Sequence, residues 1–144
     1  MFQRISHIGI VVNDIGAALR LWRDTLGFVQ FASAQFDVEG IRSVFLSLSG
    51  ESGEMSIELM EPIDKTDMEN AVARRLAKSG EGFYQLAVVT DDVAASARAL
   101  QEKSLSVIRR PPVGSATQDR WLLHPKDANG VMIEGIEEWG EGKP

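Results

Sequence analysis

Two six-residue segments, His7-Ile8-Gly9-Ile10-Val11-Val12 and Gln85-Leu86-Ala87-Val88-Val89-Thr90, can be superposed with their strand pattern intact, and the match continues beyond them. Asn13-Asp14-Ile15 falls on Asp91-Asp92-Val93, Ala17 on Ala95 and Arg20 on Arg98. Near the end of each half, Ile57-Glu58-Leu59-Met60-Glu61 and Ile133-Glu134-Gly135-Ile136-Glu137 share the pattern Ile-Glu-x-x-Glu. An internal duplication constrains the chain strongly: whatever supersecondary unit one half builds, the other builds again.

That unit reads βαβββ. Ser6 to Val12 is a β-branched strand, and Asn13-Asp14 are good helix-capping residues. Ile15, Ala18, Leu19, Trp22 and Leu26 then recur at helical steps, with Gly27 placed to end the helix. Three strand candidates follow, Phe28–Ala32, Arg42–Ser47 and Met55–Met60, divided by polar or glycine-bearing segments. Between the halves, Glu61-Pro62 ends a strand, and Met68, Val72 and Leu76 give a linker helix one apolar edge before Ser79-Gly80. The expected organisation is a single α+β domain over 1–144, with module 1 at about 4–61, the linker helix at about 62–80 and module 2 at about 81–138. The tail after Glu138 has little to bury and is expected to fray.

Composition narrows the chemistry. A net charge of −6 argues against a general nucleic-acid or anionic-membrane binder, which needs a cationic footprint. There is no cysteine, so thiolate metal sites, disulfides and cysteine nucleophiles are excluded. The first residues contain no apolar stretch long enough for a signal-peptide core, and no run approaches a membrane span, so a cytoplasmic protein is expected.

Side chains alternate across a strand, which divides the repeated strands into two faces. Ile8, Ile10 and Val12 suit packing beneath a helix, as do Leu86 and Val88, while His7 and Gln85 face the other way. In the last strands Ile57, Leu59 and Ile133 take one side and leave Glu58 and Glu134 on the other. If the modules pack about a pseudo-twofold axis, His7, Glu58, Gln85 and Glu134 converge on one point. One imidazole and three oxygen donors, two of them carboxylates, suit one divalent ion among Co, Ni, Zn, Mn or Mg and leave coordination places for water or substrate.

Each of these residues has a plainer reading. His7 could be a hydrogen-bonded strand-end residue and Gln85 a core hydrogen-bonder. Glu58 and Glu134 could face solvent, but both lie in apolar runs, where an unpaired carboxylate is costly to bury. From Lys103 to Lys126 the chain carries Lys103, Arg109, Arg110, Arg120 and Lys126 against Asp119 alone. This is either a solvated surface or an anion clamp in which Arg109, Arg110, Arg120 and Lys126 hold a carboxylate or phosphates. Pro111-Pro112 and Gly114 would shape that stretch as a lid. His124, in a His-Pro-Lys turn, is expected to order the loop before the last strand.

The blocks His7-Ile-Gly-Ile-Val-Val, Ala17 to Phe28, Ile57-Glu-Leu-Met-Glu-Pro62, Gly80-Glu-Gly82, Val89-Thr-Asp-Asp-Val93, His124-Pro-Lys126 and Gly130-Val-Met-Ile-Glu134 resemble the vicinal oxygen chelate superfamily. Within it they are most similar to the methylmalonyl-CoA epimerase family. The resemblance implies two βαβββ modules forming a half-open mixed-sheet cup, usually as a homodimer, with metal ligands at His7, Glu58, Gln85 and Glu134. It further implies a metal-dependent isomerase or epimerase that moves a proton beside the carbonyl of an acyl thioester, with Glu134 and Glu58 as the catalytic carboxylates. Epimerases commonly carry histidine where this chain has Gln85, and the family's second catalytic carboxylate falls on Ser43. A glyoxalase I-like lyase acting on a glutathione hemithioacetal, or a small-molecule-binding protein of the bleomycin-resistance kind, are the other readings. An extradiol dioxygenase would need two histidines, and only His7 stands at these four places.

Overall fold

The computed structural model describes residues 1–113 and 118–138. The first half runs β1 (Phe2–Val11), α1 (Ile15–Leu19, widening into a π-helical segment Arg20–Thr25), β2 (Val29–Phe36), β3 (Ile41–Ser47) and β4 (Ser56–Pro62). The linker helix is α2 (Ala71–Ser79). The second half repeats the order as β5 (Gly82–Thr90), α3 (Val93–Glu102), β6 (Val107–Arg110), β7 (Arg120–Leu123) and β8 (Met132–Ile136), with a short 3-10 turn at Pro125–Asp127. The βαβββ duplication is therefore realised.

All eight strands join one mixed, open sheet in the order β2-β3-β4-β1-β5-β8-β7-β6. Within each half the outer strands are antiparallel and the first and last strands parallel, β1 with β4 and β5 with β8. The halves meet where β1 runs antiparallel to β5, with Ile8 opposite Leu86. Those two residues are also repeat equivalents, so the approximate twofold axis passes between them.

The same local chemistry starts the helix in each half. The side chain of Asp14 accepts from Ala17 N and that of Asp92 from Ala95 N, both at 2.8 Å. The last glutamate of each Ile-Glu-x-x-Glu motif supplies a second acceptor: Glu61 takes Ile15 N at 2.8 Å and Glu137 takes Val93 N at 3.3 Å. Free amides of a helix's first turn need such partners, and a carboxylate also suits the positive end of the helix dipole.

The cores follow the predicted faces. Val12, Val44, Leu46, Ile57 and Leu59 pack with Ile8, Ile10 and the α1 side chains, whereas Val88, Val93, Ala97, Trp121 and Leu123 pack with Ile133 beneath α3. A third cluster, Val11, Ile41, Met60 and Val72, seats α2.

Some boundaries differ from expectation. β1 starts at Phe2 because Phe2, Arg4 and Ile5 pair with the end of β5. The first helix widens after Leu19, with Leu26 N bonding to Leu21 O, and Trp22 stands edge-on to Phe28 at 5.3 Å between centroids. Met68 lies before the linker helix, exposed, because Asn70 caps that helix by accepting from Val72 N and Ala73 N. Pro111 to Val113 are exposed and irregular, while Gly114 and the tail beyond Glu138 lie outside the described residues.

Candidate active site

Pairing registers place the site residues. Residues directly opposite in neighbouring strands share a face, so Phe45, Glu58, Gly9 and Gln85 form one row across β3, β4, β1 and β5. Leu122, Glu134, Ala87 and His7 form its symmetry-related counterpart across β7, β8, β5 and β1. Both rows line a concave cup of about 1040 Å³. Gly9 leaves room for its neighbours: a Cβ there would stand 2.7 Å from Gln85 Cγ and 2.8 Å from Met60 Cε, so both side chains would have to shift.

The structure brings His7, Glu58 and Glu134 together. His7 Nε2 lies 3.2 Å from Glu58 Oε1 and 3.7 Å from Glu134 Oε1, with the imidazole fully buried. On the other side of the ring, His7 Nδ1 shares a hydrogen bond with Ser6 Oγ at 3.0 Å. The second oxygen of each carboxylate is held by a repeat-equivalent residue. Ser43 Oγ donates to Glu58 Oε2 at 2.7 Å, and Arg120 Nε donates to Glu134 Oε2 at 3.2 Å. Gln85 lines the same cup, its side chain lying over Gly9.

Two buried carboxylates around one imidazole perturb protonation in opposed ways. Burial disfavours the His7 cation, but the hydrogen bond to Glu58 and the charges of Glu58 and Glu134 outweigh it, so the imidazole pKa is raised. Burial lifts the Glu134 carboxyl above its usual range, Glu58 adds to that, and the His7 and Arg120 charges oppose it. Carboxylates this deep need a proton or a cation beside them.

Among the described residues, no three histidine or carboxylate groups already stand at metal-holding separations. The donor set nevertheless fits a divalent ion in kind: Glu58 Oε1 and Glu134 Oε1 both approach His7 Nε2. Cis ligands of an octahedral ion with bonds near 2.1 Å stand about 3 Å apart, close to the 3.2 Å between His7 Nε2 and Glu58 Oε1 and shorter than the 3.7 Å between His7 Nε2 and Glu134 Oε1.

The basic residues separate into two groups by strand parity. Arg110 pairs directly with Arg120, and Ile108 with Leu122, so these four face the cup. Arg109 pairs with Trp121 and therefore points to the other side, where it forms an ion pair with Asp119 at 2.6 Å. Lys126 sits exposed on the 3-10 turn and does not line the cup. His124 lines the rim while its Nδ1 accepts from Lys126 N at 3.0 Å, the loop-ordering role expected of it. Two participants had no sequence signal. Glu39, on the β2–β3 turn, reaches Arg120 Nη2 at 2.5 Å, and Asn70 donates to Glu39 O and Gly40 O at 2.7 and 3.2 Å.

Comparison with known proteins decides the family. The profile of the glyoxalase/bleomycin resistance protein/dioxygenase superfamily matches residues 6–121. The chain belongs to that superfamily. Among curated members, ethylmalonyl-CoA/methylmalonyl-CoA epimerase of Cereibacter sphaeroides is 28% identical over 137 residues, covering 93% of this chain and 97% of that protein. Methylmalonyl-CoA epimerase from Mycobacterium tuberculosis superposes with a TM-score of 0.83 at 31% identity, over 97% of this chain and 91% of that one. A variant of the Streptomyces coelicolor methylmalonyl-CoA epimerase, in complex with 2-nitronate-propionyl-CoA, gives 0.84 at 33% identity over 97% and 100% of the two chains. The superfamily's half-open cup is thus the one described above.

Proposed function

We propose that this chain is an isomerase of the epimerase type, which moves the proton on the carbon beside the carbonyl of a coenzyme A thioester with one divalent metal ion assisting. The observation that carries the reading is the convergence of Glu58 and Glu134, one from each half of the sheet, on the buried His7 Nε2. The similarity to methylmalonyl-CoA epimerases over nearly the whole chain supports it.

His7, Glu58, Gln85 and Glu134 would hold the ion, which when bound supplies Lewis-acid polarisation of the thioester carbonyl. Glu134 takes the α-proton: it is a carboxylate buried in the cup at the point where the two halves converge, placed to act as a base on a substrate held there. Glu58, approaching from the other half, is the partner carboxylate, since Ser43 carries no acid of its own but fixes Glu58 by hydrogen bond. Arg110, exposed at the rim, meets phosphate or carboxylate groups of the ligand. A cytoplasmic setting agrees with the lack, among the described residues, of any helix long and apolar enough to cross a membrane. The homodimer is the assembly that the family resemblance implies.

The test uses single enantiomers of methylmalonyl-CoA in D2O, followed by mass spectrometry and chiral analysis. Deuterium should enter the α-position, vanish on chelation and return with added Co²⁺, Ni²⁺ or Mn²⁺. Absence of exchange across a panel of 2-substituted acyl thioesters, with metal bound, would end the epimerase reading.

A further inference from the structure

Arg120 divides its guanidinium between two carboxylates with very different surroundings. Glu134 is buried in the sheet, whereas the Glu39 side chain is 32% exposed on the rim, and Arg120 itself is only 12% exposed. Glu39 and Arg120 are 81 residues apart and belong to opposite halves, so their contact spans the cup mouth. The backbone under Glu39 is fixed, because Asn70 donates to the carbonyls of Glu39 and Gly40 while capping α2 with its own oxygen. Only the Glu39 side chain is therefore free to swing. An ion pair with one partner at the surface is weak and exchangeable, unlike a pair buried from both sides.

Charge bookkeeping around Arg120 makes that exchange selective. Glu39, Glu58 and Glu134 already line the cup with Arg120. A carboxylate brought to Arg120 beside both Glu39 and Glu134 is repelled, but one that replaces Glu39 leaves the charge around that guanidinium unchanged. The replacement also keeps a charge-assisted bond on a guanidinium that would otherwise lose one partner.

Building on the epimerase reading, we propose that Glu39 is a displaceable carboxylate plug. It occupies the guanidinium that receives the free carboxylate of the substrate, so the cup admits carboxylate-bearing thioesters by exchange, while otherwise identical thioesters that lack the carboxylate gain nothing from Arg120 and leave Glu39 in place. Arg120 is then a specificity-determining residue and Glu39 its intramolecular competitor.

The experiment compares calorimetric binding of malonyl-CoA and propionyl-CoA to the wild-type protein and to Glu39→Gln, with Glu69→Gln as a control that removes another rim carboxylate of equal charge. Wild type should favour malonyl-CoA. Glu39→Gln should tighten malonyl-CoA by roughly fivefold, the scale of a partly exposed ion pair, with propionyl-CoA and Glu69→Gln moving much less. Equal tightening of both ligands, an equal effect of Glu69→Gln, or no effect of Glu39→Gln would each overturn the plug while leaving the epimerase reading intact. Failure of both thioesters to bind any of the three proteins would instead remove the epimerase reading and the plug with it.

Discussion

Ser43 and Arg120 hold the same place in the two halves, one on β3 and the other on β7, and each grips the outer oxygen of its neighbouring glutamate. The duplicated backbone thus builds one arrangement twice and then differentiates it by a single side chain. A neutral hydroxyl fixes Glu58, while a guanidinium fixes Glu134 and extends to Glu39 across the mouth. The cores diverge in the same manner. Val44 faces Leu59 in the first half, whereas the matching pair in the second is Trp121 facing Gly135, a trade of small for large across two strands. Symmetry fixes where groups stand, and substitution at matched places decides what each does.

The core trade should be the costliest to disturb. A Cβ at Gly135 would collide with the Cε2–Cζ2 edge of Trp121, whose ring is fully buried and tied by Nε1 to Ser96 Oγ at 2.9 Å. Gly135→Ala should lower unfolding free energy by roughly 3 kcal/mol, at the upper end of overpacking costs. Denaturant melts that change by only a few tenths would show that the second core is looser than its packing implies.

Removing the grip on one carboxylate comes next. Ser43→Ala leaves a buried Glu58 oxygen without its donor, which should cost about 1–3 kcal/mol and reduce turnover, with Ser43→Thr recovering both. Equal turnover in Ser43→Ala and wild type would make Ser43 a bystander and blunt its analogy with Arg120.

Metal uptake sharpens the comparison differently. Both His7 and Glu134 bind protons more tightly than their free counterparts, so an incoming ion competes with protons for them. Apparent affinity should therefore fall as pH is lowered, by up to about tenfold per unit for each proton displaced. Calorimetry in buffers of different ionisation enthalpy should detect proton release, and a pH-independent affinity would place the ion elsewhere.

The smallest effect concerns the two capping glutamates. Glu61→Ala should cost about 1 kcal/mol and Glu137→Ala somewhat less, since their bonds to Ile15 N and Val93 N are 2.8 and 3.3 Å. Neither should change metal content, because each lies three residues beyond the site glutamate and on the opposite face. Metal loss in Glu137→Ala as large as in Glu134→Ala would erase the division of labour within the motif.

Much of this was legible because strand alternation is local and the repeat supplied two copies to compare. The helix-packing face of Ile8, Ile10 and Val12, and the inward placement of His7, Glu58 and Glu134, follow from parity alone. Parity also separates Arg109 from Arg110, but only once the β6–β7 register is known, and no local pattern sets that register. The Glu39–Arg120 contact was invisible because it joins a turn to a strand in the other half. The spacing of Met68, Val72 and Leu76 suits one helix, whereas the Asn70 cap, two residues after Met68, sets the start at Ala71.

The most direct measurement follows deuterium entry from D2O into each enantiomer of methylmalonyl-CoA separately, using metal-loaded wild type, Glu58→Gln and Glu134→Gln. If one carboxylate from each half serves each face of the substrate, wild type exchanges both enantiomers. Each variant should then lose exchange of one enantiomer by about 10²–10⁴-fold while retaining some exchange of the other. Undiminished exchange of both enantiomers by both variants, in protein whose metal content is unchanged, would contradict the assignment of proton transfer to this pair of carboxylates.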